Sequence, residues 1–169
     1  MELNKALEIA NRVKDALTPY CDRIEIAGSI RRRKPEVHDI EIVCIPKMQI
    51  IGGKPSVLSG FASIVMQWKK VKGEPGGKYT CRELPEGINL DLFMTTADSW
   101  GYIYAIRTGS AEFSHRVLAC GWVKKGYHGK EGILYDQNYP LRVPEEEDLF
   151  KLIGMDYVEP DKREVFITN

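Results

Sequence analysis

The chain has 169 residues, 43% of them hydrophobic, with 24 basic side chains against 24 acidic ones. That length suits one compact domain, or one domain with a small appendage, and the composition can bury a real core. A net charge of zero argues against a protein that coats nucleic acid by bulk electrostatics, and the apolar runs fall far short of the ~20 residues of a membrane span.

Met1 leads into an amphipathic pattern rather than a basic-then-apolar signal segment, so a cytoplasmic protein is the expectation. The four cysteines (Cys21, Cys44, Cys81, Cys120) are scattered without the close pairs of a zinc or redox motif and read as free thiols.

Leu3, Ala6, Leu7, Ala10, Val13 and Leu17 recur at helical spacing, which predicts a helix over 2–18. Alternation from Arg23 to Ala27 predicts a short strand ending at the Gly28-Ser29 turn. The β-branched run Asp39–Ile45, stopped by Pro46, predicts a second strand, and Gly52-Gly53-Lys54-Pro55 a loop. Val57, Phe61, Ile64, Val65 and Trp68 mark another helix, closed by the turn-rich stretch Gly73–Gly77. Lys78–Leu84 and Ile88–Met94 form a predicted hairpin around Pro85-Glu86-Gly87.

Ser99 is placed to cap a helix through Tyr102, Ile103 and Ile106. Thr108-Gly109-Ser110 interrupts it, and a further helix carries Phe113, Val117 and Leu118 to a stop at Gly121. Trp122–Lys124 and Ile133–Tyr135 read as short strands, followed by a helix near Glu145–Ile153.

Three features bear on chemistry. Gly28-Ser29 follows a strand and precedes the basic run Arg31-Arg32-Arg33-Lys34. Backbone N–H groups at such a turn make an anion-binding concavity, and arginine grips phosphate oxygens with a fork of donors. The bland alternative is a common turn beside a solvated basic face. Asp39 and Glu41 stand at i and i+2, on one face of a strand and about 6.5 Å apart. Such a pair repels itself unless solvent or a cation intervenes, and hard cations such as Mg²⁺ select oxygen-rich pairs. Asp91 lies in the apolar strand Ile88–Met94, facing away from Leu90 and Leu92. Were that strand beside the first, three carboxylates would share one patch, able to hold two cations about 3.5–4 Å apart, the spacing used for phosphoryl transfer.

The order of these features resembles the nucleotidyltransferase fold. Gly28-Ser29-Ile30-Arg31-Arg32 is similar to the Gly-Ser-x-Arg-Arg signature of the family X, polymerase beta-like DNA polymerases, followed there by Asp-x-Asp. Arg107-Thr108-Gly109-Ser110-Ala111-Glu112-Phe113 resembles that family's Thr-Gly-Ser-x-x-Phe at the palm-to-thumb junction. The ending Tyr157-Val158-Glu159-Pro160-Asp161-Lys162-Arg163 looks like its thumb terminus. The likeness spans roughly residues 22–165 and covers palm and thumb only, as in the compact members known from viruses.

The resemblance implies an α+β fold: a palm over 1–106, with a mixed sheet flanked by helices, and a small α+β thumb over 107–169. It implies that Asp39, Glu41 and Asp91 bind two Mg²⁺ ions, with Mn²⁺ as an alternative. Gly28, Ser29 and Arg32 would hold the triphosphate, and Thr108, Gly109 and Ser110 would pack against the sugar of the incoming nucleotide. The implied activity is DNA-directed synthesis at short gaps, distributive and of low fidelity, by a monomer whose partners are primer-template or gapped DNA and a dNTP.

The chain departs from the family at Glu41, where aspartate is usual, at His38, at Ile106-Arg107, where two aromatics are usual, and at Ser114 and Leu118. Two other functions stay open: a template-independent nucleotidyltransferase acting on RNA, protein or a small molecule, and an inactive nucleic-acid-binding domain. Trp68, Trp100 and Trp122 are expected in the core or the interdomain seam, and His115 and His128 on the surface.

Overall fold

The structure, a computed structural model, describes residues 1–164; the last five residues of the expected thumb, 165–169, lie outside the described residues. Helix α1 (Leu3–Leu17) is capped by Glu2, whose carboxylate accepts from the N–H groups of Asn4 and Lys5. It buries Ala6, Ile9, Ala10, Val13 and Leu17. Its stripe is rotated slightly from the expected one: Ile9 faces the core and Leu7 is exposed.

Strand β1 (Cys21–Ile26) leads to the one-turn helix α2 (Gly28–Arg31), then β2 (Asp39–Pro46). The hairpin β3 (Met48–Ile51) and β4 (Lys54–Val57) turns at Gly52-Gly53, so the expected loop is the tip of a small two-stranded sheet. Helix α3 (Ser59–Met66), β5 (Lys69–Gly73), β6 (Tyr79–Glu83) and β7 (Asn89–Met94) complete the first layer. Strand β5 was not legible from sequence. It is an edge strand with Lys69, Lys70, Val71 and Lys72 all exposed, so no apolar alternation marks it.

The main sheet runs β1-β2-β7-β6-β5. Only β2 and β7 pair in parallel, Asp39 opposite Asn89 and Glu41 opposite Asp91; β1–β2, β7–β6 and β6–β5 are antiparallel. Ile24, Ile40, Ile42, Leu90 and Leu92 point to one face and pack with α1 and α3 through Val13, Leu17, Phe61 and Val65. Removing such an apolar face from water is the main force that holds a layer together.

On the other face, Val43 and Phe93 meet Trp100 and Tyr104 of α4 (Trp100–Thr108). This helix is the seam, because Tyr102 and Ala105 on it join the second core with Phe113, Leu118, Trp122, Leu149 and Phe150. Trp100 and Trp122 are buried and Trp68 is packed at the edge of the first core, as expected of them.

After α4 come the single turn α5 (Ala111–Phe113), a π-helical stretch Ser114–Ala119 and α6 (Cys120–Lys124). Gly121 therefore lies inside a helix rather than stopping one, and Trp122–Lys124 is helical rather than extended. Buried Trp122 against Tyr102 holds this turn in register with the preceding one. Strands β8 (Tyr127–Lys130), β9 (Ile133–Asp136) and β10 (Tyr139–Pro140) make a three-stranded antiparallel sheet, and α7 (Glu146–Leu152) closes the second core. All four cysteines are free thiols.

The two layers are clasped by charge. Arg31 of α2 donates to both carboxylate oxygens of Glu146, at 2.6 and 2.9 Å, and to Thr108 Oγ1 at 2.7 Å. Arg163, fully buried, donates to Glu146 Oε2 at 2.8 Å and to the carbonyl of Val158. Arg23 grips Glu145 bidentately at 2.7 and 3.0 Å and lies over the Trp100 ring. Burial pushes the Glu146 carboxyl up, but Arg31 and Arg163 more than offset it and hold it below its ordinary range.

A carboxylate shared by a fully buried and a half-buried guanidinium is costly to lose, since both then lack their counter-charge. The Glu146→Gln variant is expected to lose about 3 kcal/mol of stability at pH 7, read by urea unfolding. Because the folded group is the stronger acid, the difference from wild type should shrink as pH falls below 4.5.

Candidate active site

The site begins with register. On a strand, alternate residues share a face, and in-register neighbours on adjacent strands point the same way about 4.8 Å apart. Asp39 and Glu41 on β2 and Asp91, opposite Glu41 on β7, therefore stand on one face of the sheet. All three are half-buried, while Ile40, Leu90 and Leu92 between them are fully buried on the opposite side. The face is open here because α4 covers only the rows beyond it, at Val43 and Phe93.

Each carboxylate has its own surroundings. Glu41 leans on the Gly28 turn, where a β-carbon would collide with its carboxylate; Gly28 also has φ +62°, a left-handed conformation that suits glycine. Asp91 Oδ1 accepts a 2.5 Å hydrogen bond from Tyr79 Oη. Among the described residues no three His, Cys, Asp or Glu side chains stand close enough together to hold a metal ion as they are. The donor set nonetheless fits a hard divalent ion: three carboxylates on one half-buried face, with no competing soft pair.

The electrostatics agree with an under-compensated anionic patch. Burial, then the charges of Asp39 and Asp91, push the Glu41 carboxyl up to about 7, against the opposing charges of Arg32 and Arg107. Burial and Asp91 likewise raise Asp39, with His38 and Arg32 opposing. Burial and its bond to Asp91 raise the Tyr79 hydroxyl, which stays protonated as a donor.

The remaining expected residues surround the patch. Gly28 and half-buried Ser29 open α2, and Ser29 passes its carbonyl to the Lys34 N–H. Arg32 crosses to the second layer: Nη1 donates to the Thr108 carbonyl at 2.6 Å and Nε to Glu164 Oε1 at 2.5 Å. Lys34 shares the same Glu164 carboxylate at 3.3 Å. Thr108 ends α4 with its hydroxyl taken by Arg31. Gly109 follows at φ +71°, the Gly109–Ser110 peptide is cis, and Ser110 caps the next turn through the Phe113 N–H while donating to the Arg163 carbonyl. His38, His115 and His128 are exposed, His128 stacked on Tyr135.

Beside the acids lies a cleft of about 860 Å³ between the layers, lined by Tyr79, Phe93, Arg107 and Met48 on one wall and Gly132 and Ile133 on the other. Tyr79 stacks on Phe93 at 5.0 Å, and the Arg107 guanidinium lies 4.2 Å over the same ring. Lys78 bridges the cleft to the Glu131 carbonyl. Sequence reasoning missed Tyr79, although counting back from the Pro85-Glu86-Gly87 turn puts Cys81 opposite Asp91 and Tyr79 diagonal to it. Nothing local marked Glu164 as the partner of Arg32.

Comparison with known proteins places this geometry. Residues 104–164 match the DNA polymerase beta thumb family. Two structures of Leishmania infantum polymerase beta, a ternary P/T complex and a ternary gap complex, match 98% of this chain. Their TM-scores are 0.74 and 0.75 at 17% identity, and the match covers 77% and 71% of those chains. A DNA nucleotidylexotransferase of Xenopus laevis is 32% identical over 80 residues, 46% of this chain but only 16% of that protein's length. The fold, with its mixed sheet and flanking helices, is that of polymerase beta. In its fold and in the match over residues 104–164 the chain is similar to the family X polymerases.

The raised proton affinity of Glu41 has a measurable consequence. A carboxyl whose folded pKa is raised contributes stability below its ordinary value near 4.5, lost as pH rises through about 7. Glu41→Gln should therefore stabilise the metal-free chain by about 2 kcal/mol at pH 8 and by little at pH 4.5, measured by thermal unfolding at both. Gly28→Ala, with its strained φ and its clash against Glu41, should destabilise at both.

Proposed function

We propose that the chain is a DNA-directed DNA polymerase that adds dNTPs to a primer 3′-hydroxyl at short gaps. The observation that carries this reading is the pairing of Glu41 with Asp91 in parallel register, with Asp39 on the same face and the Gly28-Ser29 turn directly against Glu41. In this reaction the primer 3′-oxygen bonds to the α-phosphorus and the bond to pyrophosphate breaks. Asp39, Glu41 and Asp91 would hold two Mg²⁺ or Mn²⁺ ions, which supply the charge that lowers the hydroxyl pKa and neutralises the leaving group.

The chain's own residues would do the rest. Ser29 and the N–H groups at Gly28 would receive the β- and γ-phosphates, as a turn of exposed donors does. Arg32 would join them by exchanging Glu164 for phosphate oxygens, keeping its bond to the Thr108 carbonyl. Asp91 would help receive the hydroxyl proton. Thr108, Gly109 and Ser110 would bound the sugar, the Thr108 hydroxyl held by Arg31 and the Ser110 hydroxyl by the Arg163 carbonyl. The cleft beside Tyr79 and Phe93 is large enough for a nucleotide.

A second reading, template-independent transfer, is favoured by one observation: the 32%-identical relative is a DNA nucleotidylexotransferase. Both readings are tested by extension of a labelled primer, on a one-nucleotide gap and without template. The expected result is templated addition on the gap, lowered roughly 100-fold or more by Asp91→Ala. Equal addition without template would favour the second reading, and no addition by the wild-type chain would overturn both.

A further inference from the structure

We propose that Tyr79 is a positioning residue for Asp91, a role that rests on the polymerase reading above. The geometry is specific. On the β6–β7 pair, Cys81 is opposite Asp91 and Tyr79 opposite Phe93, so Tyr79 stands on the acid face one step diagonal to Asp91. Such diagonal neighbours are about 7–8 Å apart, a span a tyrosine can reach across.

The ring is fixed by stacking on Phe93 at 5.0 Å, and Phe93 is itself clamped from above by Arg107 at 4.2 Å. Held there, Tyr79 Oη donates to Asp91 Oδ1 at 2.5 Å, within the range of a charge-assisted O–H···O⁻ bond.

This bond does a job that neither neighbouring acid can do. Three carboxylates on one face repel, and an aspartate left alone would swing away from Glu41 and Asp39. Tyr79 is neutral, so it restrains Asp91 without adding a charge that would compete with a divalent ion. It engages Oδ1 alone, and the Cys81 thiol opposite Asp91 is that acid's other close neighbour on β6. Bonded neighbours of metal-binding carboxylates commonly set affinity in this way. Phe93 and Arg107 act one contact further out, by keeping the Tyr79 ring in place.

The test compares wild type, Tyr79→Phe and Asp91→Asn. Mn²⁺ binding to the nucleotide-free chain is followed by the loss of the free-ion electron paramagnetic resonance signal. Single-nucleotide extension then gives kcat and KM for the dNTP. Phenylalanine keeps the ring and its stacking, so the unfolding temperature should stay within about 2 °C of wild type.

The expected result is Mn²⁺ affinity weakened by roughly 5–10-fold and kcat lowered by about 10-fold, the ordinary net effect of one hydrogen bond, with dNTP KM unchanged within about 2-fold. Tyr79→Phe binding Mn²⁺ as tightly as wild type, or more tightly, would overturn the proposal while leaving the polymerase reading intact. A wild-type chain that neither binds Mn²⁺ nor extends a primer would remove both.

Discussion

The parallel pairing of β2 with β7 is the constraint on which the site depends. Every other junction in the main sheet is antiparallel. A parallel neighbour cannot be reached by a tight turn; it needs a crossover. Here the crossover is everything from Lys47 to Ile88: the small hairpin, α3, β5 and β6. That excursion sets the register in which Glu41 meets Asp91. A slip of one residue would send Asp91 to the core face and Leu90 or Leu92 to the acid face. The fully buried Ile40, Ile42, Leu90 and Leu92 resist that slip, since it would bring the Asp91 charge among them in place of a leucine. The apolar face thus holds the acids on the other face in line.

Two adjacent arginines divide the work of joining the layers. Arg31 turns inward to Glu146 and Thr108, and its guanidinium lies 3.9 Å over the Tyr104 ring. Arg32 turns toward the acids, whose proton affinity its charge lowers, and reaches Glu164 and the Thr108 carbonyl. The one-turn helix α2 makes this split possible, because consecutive helical residues point about 100° apart. Thr108 receives both arginines, one on its hydroxyl and one on its carbonyl. The Thr108-Gly109-Ser110 junction is therefore bonded to the same short segment that forms the proposed phosphate turn, and a displacement of the thumb would be felt there.

Much of this was legible from residue pattern. The strands Asp39–Ile45 and Ile88–Met94 announce themselves by β-branched and apolar runs bounded by turns, and Asp91 is the misfit in its strand. What was not legible has physical causes. Strand β5 faces solvent on an edge, so its lysines carry no alternation. Trp122–Lys124 has β-like composition, but Trp122 is buried against Tyr102 on a helical turn, and tertiary packing overrides local preference. The Arg32–Glu164 pair joins residues 132 apart in sequence, and no local signal reports such a contact. The Tyr79 bond is intermediate: its register follows from the hairpin, but only side-chain packing shows that the hydroxyl lands on Asp91.

Glu41 stands where the sequence resemblance leads one to expect aspartate, and Gly28 explains how the longer side chain is accommodated. The extra methylene carries the carboxylate toward α2, into the space a β-carbon at residue 28 would fill. Glycine there serves two ends at once: it adopts the φ of +62° that the turn requires, and it leaves room for the acid. Burial against the turn is also the largest cause of Glu41's raised proton affinity. The same contact that fits glutamate into the site therefore makes its charge costly when nothing balances it. Such an arrangement is destabilising for a fold considered alone, and it is the pattern expected where a protein keeps a site ready for charge supplied from outside.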